Sequence, residues 1–508
     1  MARGDFPPLR KGRTMAQAAR VRRDTTKMTD TWDGQLLWYA RAVQKMQGRQ
    51  ESDPTSWLWQ ANIHGEKAET PGPNPEWNNC PHGGWFFLPW HRAYILCFED
   101  IVRDVIQNEL GGPDDWALPY WNYTRVTNGD PDSPESQECR RLPSAFRSPD
   151  WPDGAGNNPL FLAEPDRSPG AALGASIGWA EVNPYKAMQA ARFTGVSQFG
   201  SEYTDSHLLH SNGQSGLLEM QPHNLIHGYV GGVMSQFFSP RDPIFWLHHA
   251  NIDRLWAAWI AANSAHKNPT NEDWLGFTHT FRNAQGNQVT FKSEDLQSEE
   301  ALGYVYESLT DGVGLKPPER LVAMLAAGVA PPPPEQVAAT SGPTELGPDT
   351  VTVPLVPEPG ARAEALPEAA SPQTPNRAVL TMDGVRADTP PQTNYRVFVG
   401  ARPDHEEDLD PEGPYFIGHV HFFGAVGANT HHHGGGGLTF TFDITEHLTE
   451  LRQQGVWDGE GIPPVVVTPA PLGPPPPDAD GEALGLAAVP TPPPDSRPRI
   501  GSVSLNTT

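Results

Sequence analysis

The chain is expected to fold as a mainly α unit followed by a smaller C-terminal β-sandwich, and three features of the 508 residues carry that expectation. In the first part, apolar residues recur at helical spacing. Near residue 328 the composition shifts to Pro, Ala, Glu, Gly and Thr. From Ala378 onward, short runs of β-branched and aromatic residues alternate with turn residues. A chain of this length exceeds one ordinary core. The expected divisions are an N-terminal arm over 1–24, a helical unit over 25–328, a Pro-rich linker over 329–376 and a β-rich unit over 377–508.

Residues 1–30 are polar and read as a loose arm. Leu36, Tyr39, Ala40, Val43 and Met46 then recur as one face of an amphipathic helix. His64 is expected in an irregular stretch beyond Asp53-Pro-Thr-Ser-Trp57. Residues 71–81 read as a loop to His82, and Pro89 precedes a helix from Trp90 to about Leu110. On that helix His91, Ile95, Phe98, Val102 and Val105 share the buried face. Residues 125–215 are loop-rich. Pro222 suits a first helical turn, where its missing N–H is not needed, and places His223 and His227 one turn apart. Gly231-Gly232 closes that helix. Pro243 precedes the next, which carries His248 and His249 among Phe245, Trp246, Leu247, Ile252, Leu255 and Trp256. Beyond the linker, candidate strands start at Ala378, Tyr395, Tyr415, Leu438, Pro464 and Arg499, with one helix from Glu446 to Gln454.

A net charge of −25 and a pI near 5.0 argue against nucleic acid and anionic membranes as partners. Cys80, Cys97 and Cys139 are too few, and odd in number, for a disulfide framework. A reducing compartment, or a special use for one thiol, fits better. The basic N-terminus is followed by no apolar segment, and no run approaches membrane-spanning length. The expected location is cytoplasmic, with export on a partner protein left open.

The histidines carry the chemistry. His64, His82 and His91 form one set and His223, His227 and His249 another, each in tryptophan-rich surroundings. A single buried imidazole is ordinarily a hydrogen-bonded core residue. Six of them, two at i, i+4 on one helix, suggest metal ligation. A zinc protease would place Glu after the first histidine of the pair, where this chain has Asn224. No carboxylate or thiolate set is spaced for catalytic zinc. All-imidazole ligation of two metals points to copper.

His82-Gly-Gly-Trp-Phe-Phe-Leu-Pro-Trp-His-Arg92 and Asp242-Pro-Ile-Phe-Trp-Leu-His-His-Ala-Asn-Ile-Asp-Arg-Leu-Trp256 resemble the two copper-binding signatures of the type-3 copper family, the tyrosinases, catechol oxidases and molluscan haemocyanins. The resemblance covers roughly residues 25–320. It implies a four-helix bundle with a central dicopper site, CuA held by His64, His82 and His91 and CuB by His223, His227 and His249. The second histidine of the His248-His249 pair is the ligand in the family's pattern. It further implies two copper ions, O2 as co-substrate and a small phenolic substrate oxidised to an o-quinone. Phe245 would roof the coppers, or be ordinary core. Cys80 with His82 resembles the Cys-x-His of fungal tyrosinases, which implies a Cys80–His82 thioether. Glu219 and Asn224 resemble the pair thought to hold a proton-accepting water, which favours a true tyrosinase with monophenolase activity. A helix N-terminal acid is the plainer reading of Glu219. Gly228 would leave one side of the entrance open. Asp253 is expected either to orient a ligand ring or to pair with an arginine.

By the same resemblance the C-terminal unit is a lid, with Tyr415 and Phe416 as candidate plugging residues. His431-His-His433, with His419 and His421, would hold copper in transit, or form an exposed loop. The rival functions are a catechol or o-aminophenol oxidase lacking monophenolase activity and a haemocyanin-like O2 carrier. A homo-oligomer and a copper-delivery partner are left open.

Overall fold

The computed structural model describes residues 19–67, 72–154, 156–195, 198–201, 203, 215–313, 335–360, 366, 369, 377–426, 437–473 and 491–507. The first helix, Gly34–Gln47, is capped by the Asp33 side chain and buries Leu36, Tyr39, Ala40, Val43 and Met46, the face that the spacing defined. The stretch expected to be irregular around His64 is the helix Trp57–His64. Ser56 caps it, accepting from the Trp59 N–H at 3.1 Å. The next helix, Phe87–Asp104, begins before Pro89 and takes the proline into its first turn, where no backbone donor is required.

His223 and His227 lie on a segment that starts irregularly. Within Glu219–Asn224 the Gln221 backbone is extended (φ −148°, ψ 124°), so helical geometry restarts at Pro222 and runs to Val230. Gly231 and Gly232 end it at φ 68° and 49°, and a Cβ on Gly232 would strike the Asp166 backbone. The fourth histidine-bearing helix, Ile244–Ala262, packs along Phe87–Asp104, with Trp246 stacked on Phe98 at 3.4 Å between centroids.

Two expected divisions are corrected. The arm over 1–24 is not loose at its end: Arg20–Arg22 is a strand parallel to Tyr304–Tyr306. Arg22 is buried there, donating to Glu99 Oε2 at 2.8 Å and the Tyr306 hydroxyl at 2.8 Å. A residue that composition places in solvent is drawn inside by fixed carboxylates, which meet the cost of its desolvation. The linker over 329–376 is likewise part of the β unit where it is described. Glu335–Thr340, Val351–Val353 and Leu355–Pro357 are sheet strands. They are short and interrupted by Pro and Gly, so they resemble a connector in composition while Val337, Ala338 and Val353 reach the core.

Among the described residues the C-terminal unit holds two larger antiparallel sheets and a two-stranded one that pairs 499–500 with 344–345. One of the larger sheets has the order 438–443, 378–385, 502–507, 335–340, 355–357, and the other 416–420, 395–399, 465–469, 351–353. Leu380, Met382 and Leu505 of the first share a core with Val397, Val399 and Val467 of the second. This unit lies against the histidine-bearing helix. Arg396 pairs with Glu181 at 2.6 Å, the Asn394 amide donates to the Leu225 carbonyl at 2.9 Å, and the Gly473 N–H donates to the Ser176 carbonyl at 2.7 Å.

Candidate metal centre

Four helices, with the loop before Phe87 that carries His82, bring the six histidines named from the sequence into one buried cluster. Ring centroids within the first set lie 5.3 Å (His64–His82), 5.7 Å (His64–His91) and 5.6 Å (His82–His91) apart. In the second set the separations are 4.6 Å (His223–His227), 4.9 Å (His223–His249) and 5.7 Å (His227–His249). The two sets abut: His91 stacks on His249 at 4.4 Å, and His82 lies 5.8 Å from His223.

Backbone carbonyls fix which nitrogen faces inward. Nδ1 of His64 meets the Phe237 carbonyl at 2.6 Å, that of His91 the Phe87 carbonyl at 2.8 Å, and that of His227 the Met234 carbonyl at 2.6 Å. A carbonyl can only accept, so each Nδ1 carries the proton and each Nε2 keeps a lone pair. His223 follows the same rule through the Asn224 Oδ1 at 2.7 Å. Burial pushes the His64 imidazole down to about 3 and lowers His91, His223, His227 and His249, so the rings are neutral at physiological pH. A neutral imidazole with its lone pair aimed at its neighbours is the form that binds a metal. The inward His227 Nε2 is buried and has no hydrogen-bond partner among the described residues, a costly state that a cation relieves.

The donor atoms fall into two compact groups, His64, Cys80, His82, His91 and His223, His227, His248, His249, each with its candidate atoms within 4.8 Å of one another. The residues therefore fit two metal ions. His248 joins the second group, and its Nδ1 lies 3.0 Å from the Tyr123 hydroxyl. Cys80 sits against the first group, with Sγ 3.5 Å from His82 Nδ1, 3.8 Å from His82 Nε2 and 3.3 Å from His91 Nε2.

Phe245 is fully buried and spans both groups, 4.1 Å from His249 and 5.2 Å from His64 between centroids. Glu219 Oε1 accepts from the Gly83 N–H at 2.8 Å, and its Oε2 accepts from Ser201 Oγ at 2.9 Å. Burial outweighs these bonds and pushes its carboxyl up to about 7. Asn224 spends both ends of its amide, on His223 and, through Nδ2, on His421 Nε2 at 2.8 Å. Among the described residues no direct hydrogen bond joins Glu219 to Asn224.

The structure decides or corrects several expectations about neighbouring residues. Asp253 takes the second of its two expected roles, pairing with arginines rather than orienting a ligand ring. Its carboxylate is filled by Arg92 at 2.5 Å, Arg22 at 3.3 Å and the hydroxyls of Tyr304 and Tyr306 at 2.6 and 2.5 Å. The side chain over the site is Phe423. It stacks on His227 at 4.1 Å and lies 5.1 Å from His82 and 5.8 Å from His223. Tyr415 and Phe416 lie elsewhere, Phe416 packing on Phe398 and His419. His419 and His421 are buried at the interface, His419 beside Glu181 at 3.4 Å and His421 on Asn224, so they do not form one exposed metal relay. His431, His432 and His433 lie outside the described residues. Gly228 does not leave an open side: the space beside it holds Asn394. The signal for Phe423 was present as alternation, since His419, His421 and Phe423 all face the helical unit whereas Phe422 enters the sheet core.

Paired all-imidazole groups this close together define a binuclear copper protein. Comparison with known proteins agrees. The common central domain of tyrosinase matches residues 54–262, and a domain of unknown function matches 333–473. Tyrosinase HcTyr1 of Hahella sp. (strain CCB-MM4) is 35% identical over 457 residues, covering 85% of this chain and 92% of that protein. Aureusidin synthase of Antirrhinum majus is 27% identical over 319 residues, and the chain spans about half of its length (52%). The structure of latent apple tyrosinase superposes with a TM-score of 0.56 at 20% identity, covering 97% of this chain and 98% of that one, a likeness of fold. The chain belongs to the tyrosinase and polyphenol oxidase family of type-3 copper proteins. It is accordingly a copper-dependent oxidoreductase of phenols. Among the described residues no helix is long and apolar enough to cross a membrane.

Proposed function

We propose that the protein is a tyrosinase that hydroxylates monophenols and oxidises o-diphenols to o-quinones, held latent by its C-terminal unit. His64, His82 and His91 would hold CuA and His223, His227 and His249 CuB, with the helices around them read as the four-helix bundle and the two larger C-terminal sheets as a β-sandwich lid. The bound copper pair supplies activation of O2 for phenol oxidation. The chain's own residues orient, exclude water and manage the proton. The carbonyls on His64, His91 and His227 set the tautomers, and Phe245 and Phe87 keep the floor dry.

The observation that favours monophenolase activity is Glu219. A buried carboxyl near 7, beside the backbone that follows His82, is a base poised for neutral pH. A phenol near pKa 10 reacts poorly until it loses its proton, so a placed base distinguishes hydroxylation from diphenol oxidation. Asn224 assists by accepting from His223 Nδ1, which raises the basicity of that ring.

Cys80 Sγ lies close to both nitrogens of the His82 ring, 3.5 and 3.8 Å away. This proximity supports a Cys80–His82 thioether: a C–S bond would form as the thiol hydrogen and the ring C–H hydrogen leave with two electrons to O2, the oxidant the proposed activity uses, giving hydrogen peroxide. The decisive experiment is a panel of tyramine, phenol and catechol on copper-loaded protein, before and after proteolytic release of the C-terminal unit. The reading expects quinone from all three and a rise on release. Turnover of catechol alone would reduce the protein to a catechol oxidase, and no turnover of any phenol would leave an O2 carrier.

A further inference from the structure

The lid reading leaves open how the C-terminal unit recognises this particular face of the helical unit. At the interface the two surfaces leave no slack at Gly228, as they leave none where Gly170 meets Leu472 and Gly473 meets Ser176. Gly228, the residue after His227, has the side chain of Asn394 in the space where a Cβ would stand. A Cβ built on Gly228 would clash with the Asn394 Oδ1, and would lie 2.9 Å from its Cγ and 3.1 Å from its Nδ2. Asn394 cannot swing aside cheaply. It is 4% exposed, and its amide donates to the Leu225 carbonyl at 2.9 Å, one turn before Gly228. Its backbone is pinned as well, because its carbonyl accepts from the Ala470 N–H at 2.8 Å and Tyr395 begins a central strand of the sheet.

We propose that the notch formed by Gly228 and the Leu225 carbonyl is the receptor for the C-terminal unit, and that Asn394 is the key that fits it. This rests on the lid reading. The partner of the notch is one short amide side chain, which fills the missing-Cβ volume and satisfies the carbonyl. Any side chain at position 228 removes that volume, so the lid must retreat as a body. His421 and Phe423 directly follow the strand, ending at Val420, that pairs with the strand after Asn394, and retreat with it. Gly228 thereby serves docking, and the residue type beside His227 decides whether the chain can close over its own site.

The test uses the full chain, with a specific protease sequence placed between residues 320 and 330 so that the two units can be nicked apart after folding. In copper-free protein, size-exclusion chromatography reads whether the two fragments stay together, independent of catalysis. Wild type should remain associated. Gly228→Ala should release the C-terminal fragment, with at least a tenfold weaker association. Gly228→Ala combined with Asn394→Gly, which vacates the volume, should recover part of it, staying below wild type because the hydrogen bond to the Leu225 carbonyl is lost. In copper-loaded protein, the ratio of catechol turnover after nicking and removal of the C-terminal fragment in mild denaturant to turnover of the uncut chain removes any effect of position 228 on the chemistry itself. That ratio should fall toward one in Gly228→Ala and return in part in the double variant. If Gly228→Ala stays associated with the wild-type ratio, or the double variant associates no better than the single one, the notch is not the receptor. A wild-type ratio of one would instead remove the lid reading, while the association data would still decide the notch.

Discussion

Replacing Phe423 with alanine tests the reading of the closed state most directly. The ring is 5% exposed and lies against His227, His82 and Phe237, so it contributes both burial and ring-on-ring contact to the docked arrangement. Burying a phenylalanine side chain stabilises by about 1.5–3 kcal/mol, and aromatic pairing adds roughly 0.5–1.5 kcal/mol. Truncation should therefore cost the docked state about 2–4 kcal/mol, on the order of 30- to 1000-fold in the docking equilibrium. It also removes the obstruction itself. Catechol turnover by the full-length, copper-loaded variant, normalised to copper content, should rise at least tenfold over wild type and approach that of nicked protein. Equal copper content with turnover within twofold of wild type would refute the assignment of Phe423 as the plug, because neither the docking energy nor the steric block would then have been real.

Four further outcomes follow from the site. Asp253→Ala should destabilise copper-free protein by about 3–5 kcal/mol in denaturant unfolding, because Arg92 and Arg22 lose their buried partner. The Glu219 carboxyl, raised to about 7 in the fold, binds a proton that the unfolded chain has lost above its ordinary value near 4.3. Stability should thus fall as pH rises from about 4.3 to 7, and Glu219→Gln should flatten that slope in copper-free protein. His249→Ala should reduce bound copper by about half in elemental analysis, whereas His248→Ala, whose ring is engaged by Tyr123, should keep both metals. Mass spectrometry of tryptic peptides from copper-loaded, aerobically matured protein should find Cys80 refractory to alkylation and joined to His82 with the loss of two hydrogens; a freely alkylated Cys80 would remove the thioether.

The site was legible in the sequence to the extent that its chemistry is local. A histidine pair at i, i+4 and a histidine on the inward face of an amphipathic helix are fixed by spacing, which a sequence displays directly. The Ser56-capped helix ending at His64, by contrast, is too short for its periodicity to show, and the sequence reads there as an irregular stretch. What escaped is everything set by partners distant in the chain. Asp253 is one turn from His249, yet its company comes from residues 22, 92, 304 and 306. The strands within 335–357 escaped because two to six residues between prolines carry too little periodicity to separate a strand from a connector. The plug was sought at the start of its strand, at Tyr415 and Phe416. It lies past the strand's end at Val420, where the chain leaves the sheet and can reach down to the histidines.

That displacement has a physical reason, and it joins the lid to the proton chemistry. A residue inside a sheet strand is committed to the ladder and to its neighbours on one face, so it cannot enter a pocket without breaking its own sheet. His419, still paired in the strand, meets Glu181 at the interface. Past the last paired residue, alternation still sets direction while the ladder no longer holds the backbone, and the next odd positions deliver His421 to Asn224 and Phe423 to His227. The middle contact matters for catalysis. The Asn224 amide that a free site would offer to a water or an incoming phenol is occupied by the His421 ring while Phe423 fills the space above His227. One loop thus withholds both room and a polar partner from substrate. Opening the lid restores the two together, so monophenol hydroxylation, which needs the polar partner as well as the room, should gain more from release than diphenol oxidation does. Measuring both activities on the same nicked sample decides this: equal gains for tyramine and catechol would mean that His421 withholds nothing, and that the lid acts by volume alone.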